Sequence, residues 1–113
     1  MSGKFVIEKA SNGQFYFNLR AANGERILQS ELYVARQSAE RGIASVKINA
    51  PLDERYVRKH DKNGSPMFTL TAGNHEVIGA SESYSSTAAR EHGIDSVKRN
   101  APEAVVVDNT QAH

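Results

Sequence analysis

Two sets of polar and aromatic residues, spaced 51 positions apart, are the part of this 113-residue sequence best suited to chemistry. In each set a tyrosine offers a ring that can stack on a ligand, and asparagine and glutamate side chains offer hydrogen bonds and charge. We therefore predict two symmetric ligand sites, each near a third strand and the start of a helix. The predicted ligand residues are Asn23, Glu25, Glu31, Tyr33, Asn74, Glu76, Glu82 and Tyr84.

A purely structural role explains the same residues and is the interpretation that we favour. Asn23 and Asn74 suit turns, and Ser30 and Ser81 can lead into helices. Carboxylates near a helix N-terminus are favoured by the helix dipole. The repeated polar residues therefore predict where turns and helix starts lie, and they do not by themselves predict a ligand.

A second candidate site is basic and would bind nucleic acid through phosphate contacts. It consists of Lys47, Lys98 and Arg99, with Asn49 and Asn100 beside them. However, the formal net charge is only +1, and the sequence has no recognised nucleic-acid-binding motif. Cations near helix C-termini also complement the helix dipole, so nucleic-acid binding is not favoured.

Several kinds of catalytic and metal site are not supported by the residues present. There is no cysteine, and the histidines at positions 60, 75, 92 and 113 have no histidine or cysteine at ligand spacing. No G-x-S-x-G string, phosphate loop or dinucleotide fingerprint occurs. We therefore expect no catalytic residue, no metal and no cofactor.

The elements that position these residues come from an internal repeat. Residues 5–51 align with residues 56–102 without a gap, and 21 of the 47 pairs are identical. Alternating apolar residues predict three strands at the start of each repeat, and a 3.6-residue period then predicts a helix that ends before Pro51 or Pro102. The predicted strands are 4–10, 15–21, 25–30, 56–61, 67–72, 76–81 and 104–108, and the helices run from about 34 to 49 and from Ser85 or Ser86 to about 100.

A single repeat of about 51 residues is marginal as an independent domain, so the two copies should share one core. We predict an α+β fold of tandem β3-α-β repeats, with one pseudo-two-fold antiparallel sheet and two helices packed on one face. Residues 1–113 form one domain, with repeats at about 4–54 and 55–108 and a flexible tail at 109–113. The core should contain the repeated pairs at positions 17 and 68, 19 and 70, 21 and 72, and 27 and 78, packed on Ile43, Val46, Ile94 and Val97.

The last strand should pair with the first, because by the repeat period it ends the second copy and needs a partner. Asn-Gly pairs at 12–13, 23–24 and 63–64 predict type I′ hairpin turns. The fourth hairpin has Asn74-His75, and a histidine resists the positive φ that this turn requires. The turn type there is therefore left open.

The repeated strings F-x-L-x-A-x-N-x-E-x-I, SE-x-Y and GI-x-SVK-x-NAP resemble those of the YegP-like family, a bacterial domain of unknown function. In this sequence they begin at Phe17 and Phe68, Ser30 and Ser81, and Gly42 and Gly93. The resemblance covers nearly the whole chain. It implies a β3-α-β unit used twice, with C-terminal strands exchanged into one sheet, and it brings no established activity or ligand.

We therefore expect a small, soluble binding or interaction module without catalysis. The alternatives are an enzyme with a site between the repeats and a weak nucleic-acid binder. Neither a signal peptide nor a membrane-spanning run is evident, so we expect a cytoplasmic protein. A monomer is favoured, because the duplication supplies within one chain what a one-copy relative would gain by dimerising.

Overall fold

The computed structural model describes residues 3–110, and its helices and strands follow the order that the repeat predicts. The first repeat contains β1 Lys4–Lys9, β2 Phe15–Arg20, β3 Arg26–Gln29 and α1 Arg36–Asn49, followed by a 3₁₀ turn at Asp53–Arg55. The second contains β4 Tyr56–His60, β5 Pro66–Thr71, β6 Val77–Ala80, α2 Thr87–Asn100 and β7 Val105–Asp108. The predicted α+β fold of tandem repeats is confirmed.

All seven strands form one sheet in the order β4-β5-β6-β3-β2-β1-β7. At its centre β3 and β6 are joined by a single pair, Gln29 with Ala80. These two residues are repeat equivalents, which means that they lie 51 positions apart and occupy the same place in their copies. A residue that pairs with its own equivalent lies on a two-fold axis, so the sheet has the predicted pseudo-symmetry.

The predicted pairing of the last strand with the first is confirmed, but its direction is not antiparallel. Val106 of β7 lies beside Phe5 of β1, and Val107 lies beside Val6, in a parallel ladder. The other strand pairs are antiparallel, so the sheet is mixed and the prediction of a fully antiparallel sheet is wrong for this pair. A hairpin forces an antiparallel partner, whereas β7 follows a helix, and a helical crossover can return the chain in the parallel direction.

The chain beyond β7 continues along the same edge. Asn109 donates a backbone hydrogen bond to the carbonyl of Ile7 at 2.9 Å, and the backbone N–H of Thr110 donates to Asp108 Oδ1 at 2.8 Å. These two residues belong to the predicted tail 109–113. Its remaining residues, 111–113, lie outside the described part of the chain.

The two outer edges of the sheet are not equivalent. The residues of β7 correspond to residues 54–57 of the first repeat, which form the end of the 3₁₀ turn and the start of β4. The first repeat therefore has no separate terminal strand. As a result, β7 covers the outer edge of β1, while β4 is the last strand at the other side of the described sheet.

One hydrophobic core joins both repeats. Each helix packs on the middle strand of its own repeat and on the third strand of the other, so neither copy closes its core alone. The predicted core is confirmed, with Phe17, Phe68, Leu19, Leu70, Ile27, Ile78, Ile43, Ile94, Val46 and Val97 buried and Ala21 and Ala72 partly buried against them.

The close approach of the two repeats at β3 and β6 depends on Leu28 and its repeat equivalent, Gly79. A Cβ atom on Gly79 would lie 2.7 Å from Cγ and Cδ2 of Leu28. Two leucines therefore cannot occupy these positions together. The two copies fit together because one has a leucine at this position and the other has a glycine, which has no side chain. Identical leucines would clash.

The prediction of type I′ turns is wrong. In the β2–β3 hairpin Ala21 donates to the carbonyl of Glu25 at 2.8 Å, so three residues, not two, lie inside the closing pair. Gly24 donates back to Ala21 at 2.9 Å, and the four hairpin loops share this pattern. Each is a type I turn followed by one left-handed residue. His75 takes that place in the fourth loop with φ 72°, close to the 87° of Gly24.

The two helices begin differently, as the sequence indicates. Ser86 caps α2, because its hydroxyl oxygen accepts a hydrogen bond from the backbone N–H of Ala89 at 3.0 Å. Its repeat equivalent, Ala35, has no side-chain group that can do this at the start of α1. The second helix therefore has the more stable N-terminus.

We expect Phe68→Ala to lower the free energy of unfolding by about 3–5 kcal/mol, because it opens a cavity under α2. Phe68 is fully buried, and its ring centre lies 5.7 Å from that of Tyr56 and 6.2 Å from that of Tyr84. Urea denaturation measures the loss. Leu32→Ala is the control, since Leu32 is exposed and its truncation should change stability by less than about 0.5 kcal/mol. Equal midpoints for the two variants would contradict this packing.

Candidate functional site

The two predicted ligand tyrosines occupy the same environment in the two repeats. Tyr33 stacks on Phe17 with ring centres 6.3 Å apart, and Tyr84 stacks on Phe68 at 6.2 Å, both with 10° between the ring planes. Both tyrosines are half-buried. One face of each ring is therefore covered by phenylalanine, and only the remaining surface can meet a ligand.

Glycines in the helices make room for these tyrosines. A Cβ atom on Gly42 would lie 2.6 Å from the hydroxyl oxygen of Tyr33, and one on Gly93 would lie 2.6 Å from Cζ of Tyr84. Any side chain at these positions would push the ring away from its phenylalanine. The repeated G-I string is thus explained by packing of a tyrosine against each helix.

Three of the predicted ligand residues, from both repeats, interact electrostatically. Burial is the largest cause of the raised pKa of the Tyr84 phenol, and the negative charges of Glu82 and then Glu25 raise it further. For Tyr33, burial and then Glu31 raise the pKa. Glu25 belongs to the first repeat and Tyr84 to the second, so this cluster exists only because the copies are joined.

The predicted asparagines support turns. The Oδ1 atom of Asn23 accepts the backbone N–H of Glu25 at 3.0 Å, and Asn74 accepts that of Glu76 at 3.1 Å. Glu25 and Glu76 themselves are exposed at these hairpins. The amide oxygens are therefore used within the chain, in agreement with the structural role that the sequence favours for them.

Ser30 and Ser81 hold the chain where it leaves the third strand of each repeat. The Ser30 hydroxyl accepts the backbone N–H of Phe17 at 2.9 Å and donates to the carbonyl of Glu31 at 2.8 Å. Ser81 makes the equivalent bonds at 3.0 and 2.8 Å. Each serine therefore links the end of the third strand to the second strand of its repeat. Neither caps a helix, since the cap of α2 is Ser86.

A groove of about 350 Å³ lies where β3 and β6 separate, and we call it the seam groove. The buried side chain of Leu28 lies at its base, and Arg26 and Glu82 contribute opposite charges. Neither of these two side chains forms an ion pair within residues 3–110. The groove is lined by Arg26, Leu28, Gln29, Ser30, Ala80, Ser81 and Glu82.

Sequence reasoning missed Arg26, although the sequence held a signal for it. The repeat equivalent of Arg26 is Val77, so a charged residue stands in one copy where the other has an apolar one. The residues predicted as ligand residues are those that the two copies share, and Arg26 is a residue in which they differ. A site on a pseudo-two-fold axis can use such a difference, because both copies contribute to it.

Two of the basic residues predicted to bind nucleic acid, Lys47 and Lys98, lie over different halves of the sheet. The Lys47 ammonium lies 5.9 Å from the ring centre of Phe5 on β1, and the Lys98 ammonium lies 5.5 Å from that of Tyr56 on β4. Four strands separate β1 from β4 in the sheet, which corresponds to about 24 Å. Lys98 is also engaged by Asp53, with its ammonium 2.8 Å from Oδ1.

Two further kinds of site can be assessed for the described chain. Within residues 3–110, no three or more histidine, aspartate or glutamate side chains are grouped so that they could hold a metal ion. Neither of the described helices has the length and apolar character needed to cross a membrane. Of the predicted ligand residues, Glu82 lines the seam groove, and Glu25 directly precedes the lining residue Arg26 in the sequence.

Comparison with known proteins gives matches over the full chain. The family described as "Domain of unknown function (DUF1508)" matches residues 10–56 and 61–108, once in each repeat. UPF0339 protein YegP of Yersinia pestis is 52% identical over 108 residues, which cover 96% of each chain. A UPF0339 protein of Bordetella pertussis is 57% identical over 112 residues, which cover 99% of this chain and 100% of the other. The solution NMR structure of E. coli yegP, a protein of unknown function, has a TM-score of 0.93 and 50% identity, covering 100% of this chain and 97% of that one.

The contact between Tyr84 and Gly93 predicts that replacing this glycine by alanine lowers the stability of the protein, although the same replacement usually stabilises a helix. In a helix, Gly→Ala ordinarily stabilises by about 1 kcal/mol. Gly93→Ala should instead destabilise the protein by about 1–3 kcal/mol, because the added methyl displaces the Tyr84 ring. In a Tyr84→Ala background the methyl has room, and the same change should stabilise. Chemical denaturation of the four proteins measures both effects, and equal effects in the two backgrounds would contradict the contact.

Proposed function

Since this chain belongs to the YegP-like family of DUF1508 domains, whose function is unknown, we propose from its own geometry that it is a non-catalytic binding module. Its proposed ligand is a short peptide segment that carries one acidic and one basic group and lies in the seam groove. The observation that supports this most strongly is the placement of Arg26 and Glu82, which line one groove and are not ion-paired within residues 3–110.

The groove offers each end of such a ligand a suitable partner. A guanidinium binds a carboxylate through two parallel hydrogen bonds, so Arg26 is suited to the acidic group. Glu82 is suited to an ammonium or guanidinium group. Leu28 gives apolar contact between them, and the volume of about 350 Å³ falls in the range of small-ligand sites.

The state of the nearby tyrosine favours binding over catalysis. A nucleophilic or basic tyrosine needs a lowered pKa, so that the phenolate is present near neutral pH. Burial and the charges of Glu82 and Glu25 act in the opposite direction on the pKa of Tyr84. Its phenol stays protonated, and it is suited to donate a hydrogen bond. An enzyme with a site between the repeats is the alternative.

We further propose that the protein acts as a monomer in the cytoplasm and without nucleic acid. The absence of cysteine from the sequence is compatible with a reducing compartment. The two repeats already bury a shared core, so a second chain is not needed for that purpose. The separation of Lys47 from Lys98 supports the proposal that nucleic acid is not a partner, because phosphate contacts would use a continuous positive surface.

A titration with a capped dipeptide tests the proposal. We expect N-acetyl-Lys-Asp-amide to shift the backbone amide resonances of Gln29, Ser30 and Ser81 in ¹⁵N-labelled protein. The double variant Arg26→Val and Glu82→Gln should weaken this binding by about tenfold or more, because two charge-assisted hydrogen bonds are lost. The valine reproduces the residue that the second repeat has at this position.

Glu31→Gln is the matched control, since Glu31 is the repeat equivalent of Glu82 and does not line the groove. It should bind the dipeptide like the unmodified protein. The neutral N-acetyl-Gln-Asn-amide should bind more weakly than the charged dipeptide. If the double variant and the Glu31→Gln variant bind equally well, or if the charged dipeptide causes no change in the groove, the proposed function is wrong.

A further inference from the structure

Two equivalent surfaces, which we call cradles, lie between the C-terminal end of a helix and the hairpin that joins the second and third strands of the other repeat. The first cradle lies between α1 and the β5–β6 hairpin, and the second between α2 and the β2–β3 hairpin. In the first cradle the chain's own Arg55 is bound. The Nε of Arg55 donates to Asn49 Oδ1 at 2.9 Å. Its Nη2 lies 3.6 Å from the position that a Cβ atom on Gly73 would take, so the guanidinium covers the β5–β6 turn. A further bond, from the Thr71 hydroxyl to the Arg55 carbonyl at 2.9 Å, fixes the backbone of this arginine.

The second cradle keeps the same acceptor. Nδ2 of Asn100 donates to the carbonyl and hydroxyl oxygens of Ser96 at 2.8 and 3.2 Å, and Asn49 makes the same two bonds to Ser45 at 2.8 and 3.3 Å. Because the amide nitrogen is fixed on the helix, Oδ1 of Asn100 must point away from it. Asn100 is only 8% exposed, and within residues 3–110 this oxygen receives no hydrogen bond.

In the second cradle the chain takes a different course. Arg55 lies at the boundary of the repeats, so the 51-residue shift relates it both to Lys4, at the start of β1, and to Val106, in β7 beside β1, and neither of these lines the second cradle. The space that corresponds to the Arg55 guanidinium is a groove of about 390 Å³. It is lined by Ala21, Ala22, Asn23, Ser96, Arg99 and Asn100, and it shares no lining residue with the seam groove.

We propose that this second cradle binds the guanidinium of an arginine side chain presented by a partner peptide. The first cradle supports the proposal, because Asn49, the repeat equivalent of Asn100, accepts a hydrogen bond from the Arg55 guanidinium there. A planar guanidinium can donate to Asn100 Oδ1 while it covers the hairpin turn, which the single point charge of lysine cannot do. The C-terminal end of α2 also carries the partial negative charge that favours a cation.

Arg99 sets the charge of the segment around this arginine. Its repeat equivalent at the first cradle is Ile48, so the peptide-binding cradle has a cation on its rim where the filled one has an apolar side chain. Arg99 is exposed, so its repulsion of the bound guanidinium is weakened by solvent, and it also repels a second cation beside the bound one. The partner segment that fits best is therefore an arginine with an acidic neighbour.

The probe for this inference is N-acetyl-arginine amide, titrated into the ¹⁵N-labelled full chain. We expect shifts of the Asn100 side-chain amide and of the Ser96 and Asn23 backbone amides. N-acetyl-lysine amide should bind about tenfold more weakly. Arg99→Ile, which restores the residue of the first cradle, should tighten binding of the arginine probe by about two- to fivefold.

A blocking variant avoids any change to the buried asparagine. Ala22 is exposed on the turn and lines the cradle, so Ala22→Phe should fill it and reduce binding at least about tenfold. Ser11→Phe is the matched control, because Ser11 holds the same position in the β1–β2 turn and does not line the cradle. Arg55→Ala should open the first cradle and add a second set of shifts at the Asn49 side chain.

The inference is overturned if the arginine probe leaves the Asn100 side chain unchanged, or if Ala22→Phe binds it as well as Ser11→Phe does. It is also overturned if the shifts map to the seam groove. The double variant Arg26→Val and Glu82→Gln should bind the arginine probe normally. Failure of the dipeptide test and failure of this one are therefore separate results.

Discussion

The packing of Leu28 over Gly79 is the contact on which the rest of the structure depends. β3 and β6 share only one hydrogen-bonded pair, so backbone pairing alone holds the two repeats together weakly. Leu28 occupies the space where a side chain on Gly79 would lie, and it closes the core between the copies. Because each helix packs across this junction, the positions of both tyrosines, of the seam groove and of both cradles follow from it.

Most of the fold could be predicted from the sequence, because its patterns are local and repeated. Alternation and helical periodicity locate the strands, the helices and the buried pairs, and Ser86 indicates where its helix begins. The turn type could not be predicted from the Asn-Gly pairs, since it depends on how far the flanking strands continue to pair. The left-handed His75 and the parallel direction of β7 also depend on the assembled sheet.

The candidate sites were predictable only in part, and the reason lies in the search for shared residues. Shared residues such as Tyr33, Ser30 and Gly42 hold the fold in both copies. Each candidate groove combines shared residues, such as Glu82 and Asn100, with residues in which the copies differ, such as Arg26 against Val77 and Arg99 against Ile48. In a duplicated domain, both the shared and the divergent positions must therefore be compared to find candidate binding residues.

The parallel pairing of β7 with β1 also affects how the protein forms during its synthesis. The first strand leaves the ribosome early, but its outer neighbour consists of residues 105–108 near the end of the chain. Its outer hydrogen-bonding groups therefore stay unsatisfied by the native partner until both repeats have been synthesised. A nascent first repeat can form hairpins and a helix, yet the sheet is complete only when β7 has been synthesised. The edge of β1 is thus open to pairing with a neighbouring nascent chain for as long as the rest of the two repeats is being translated.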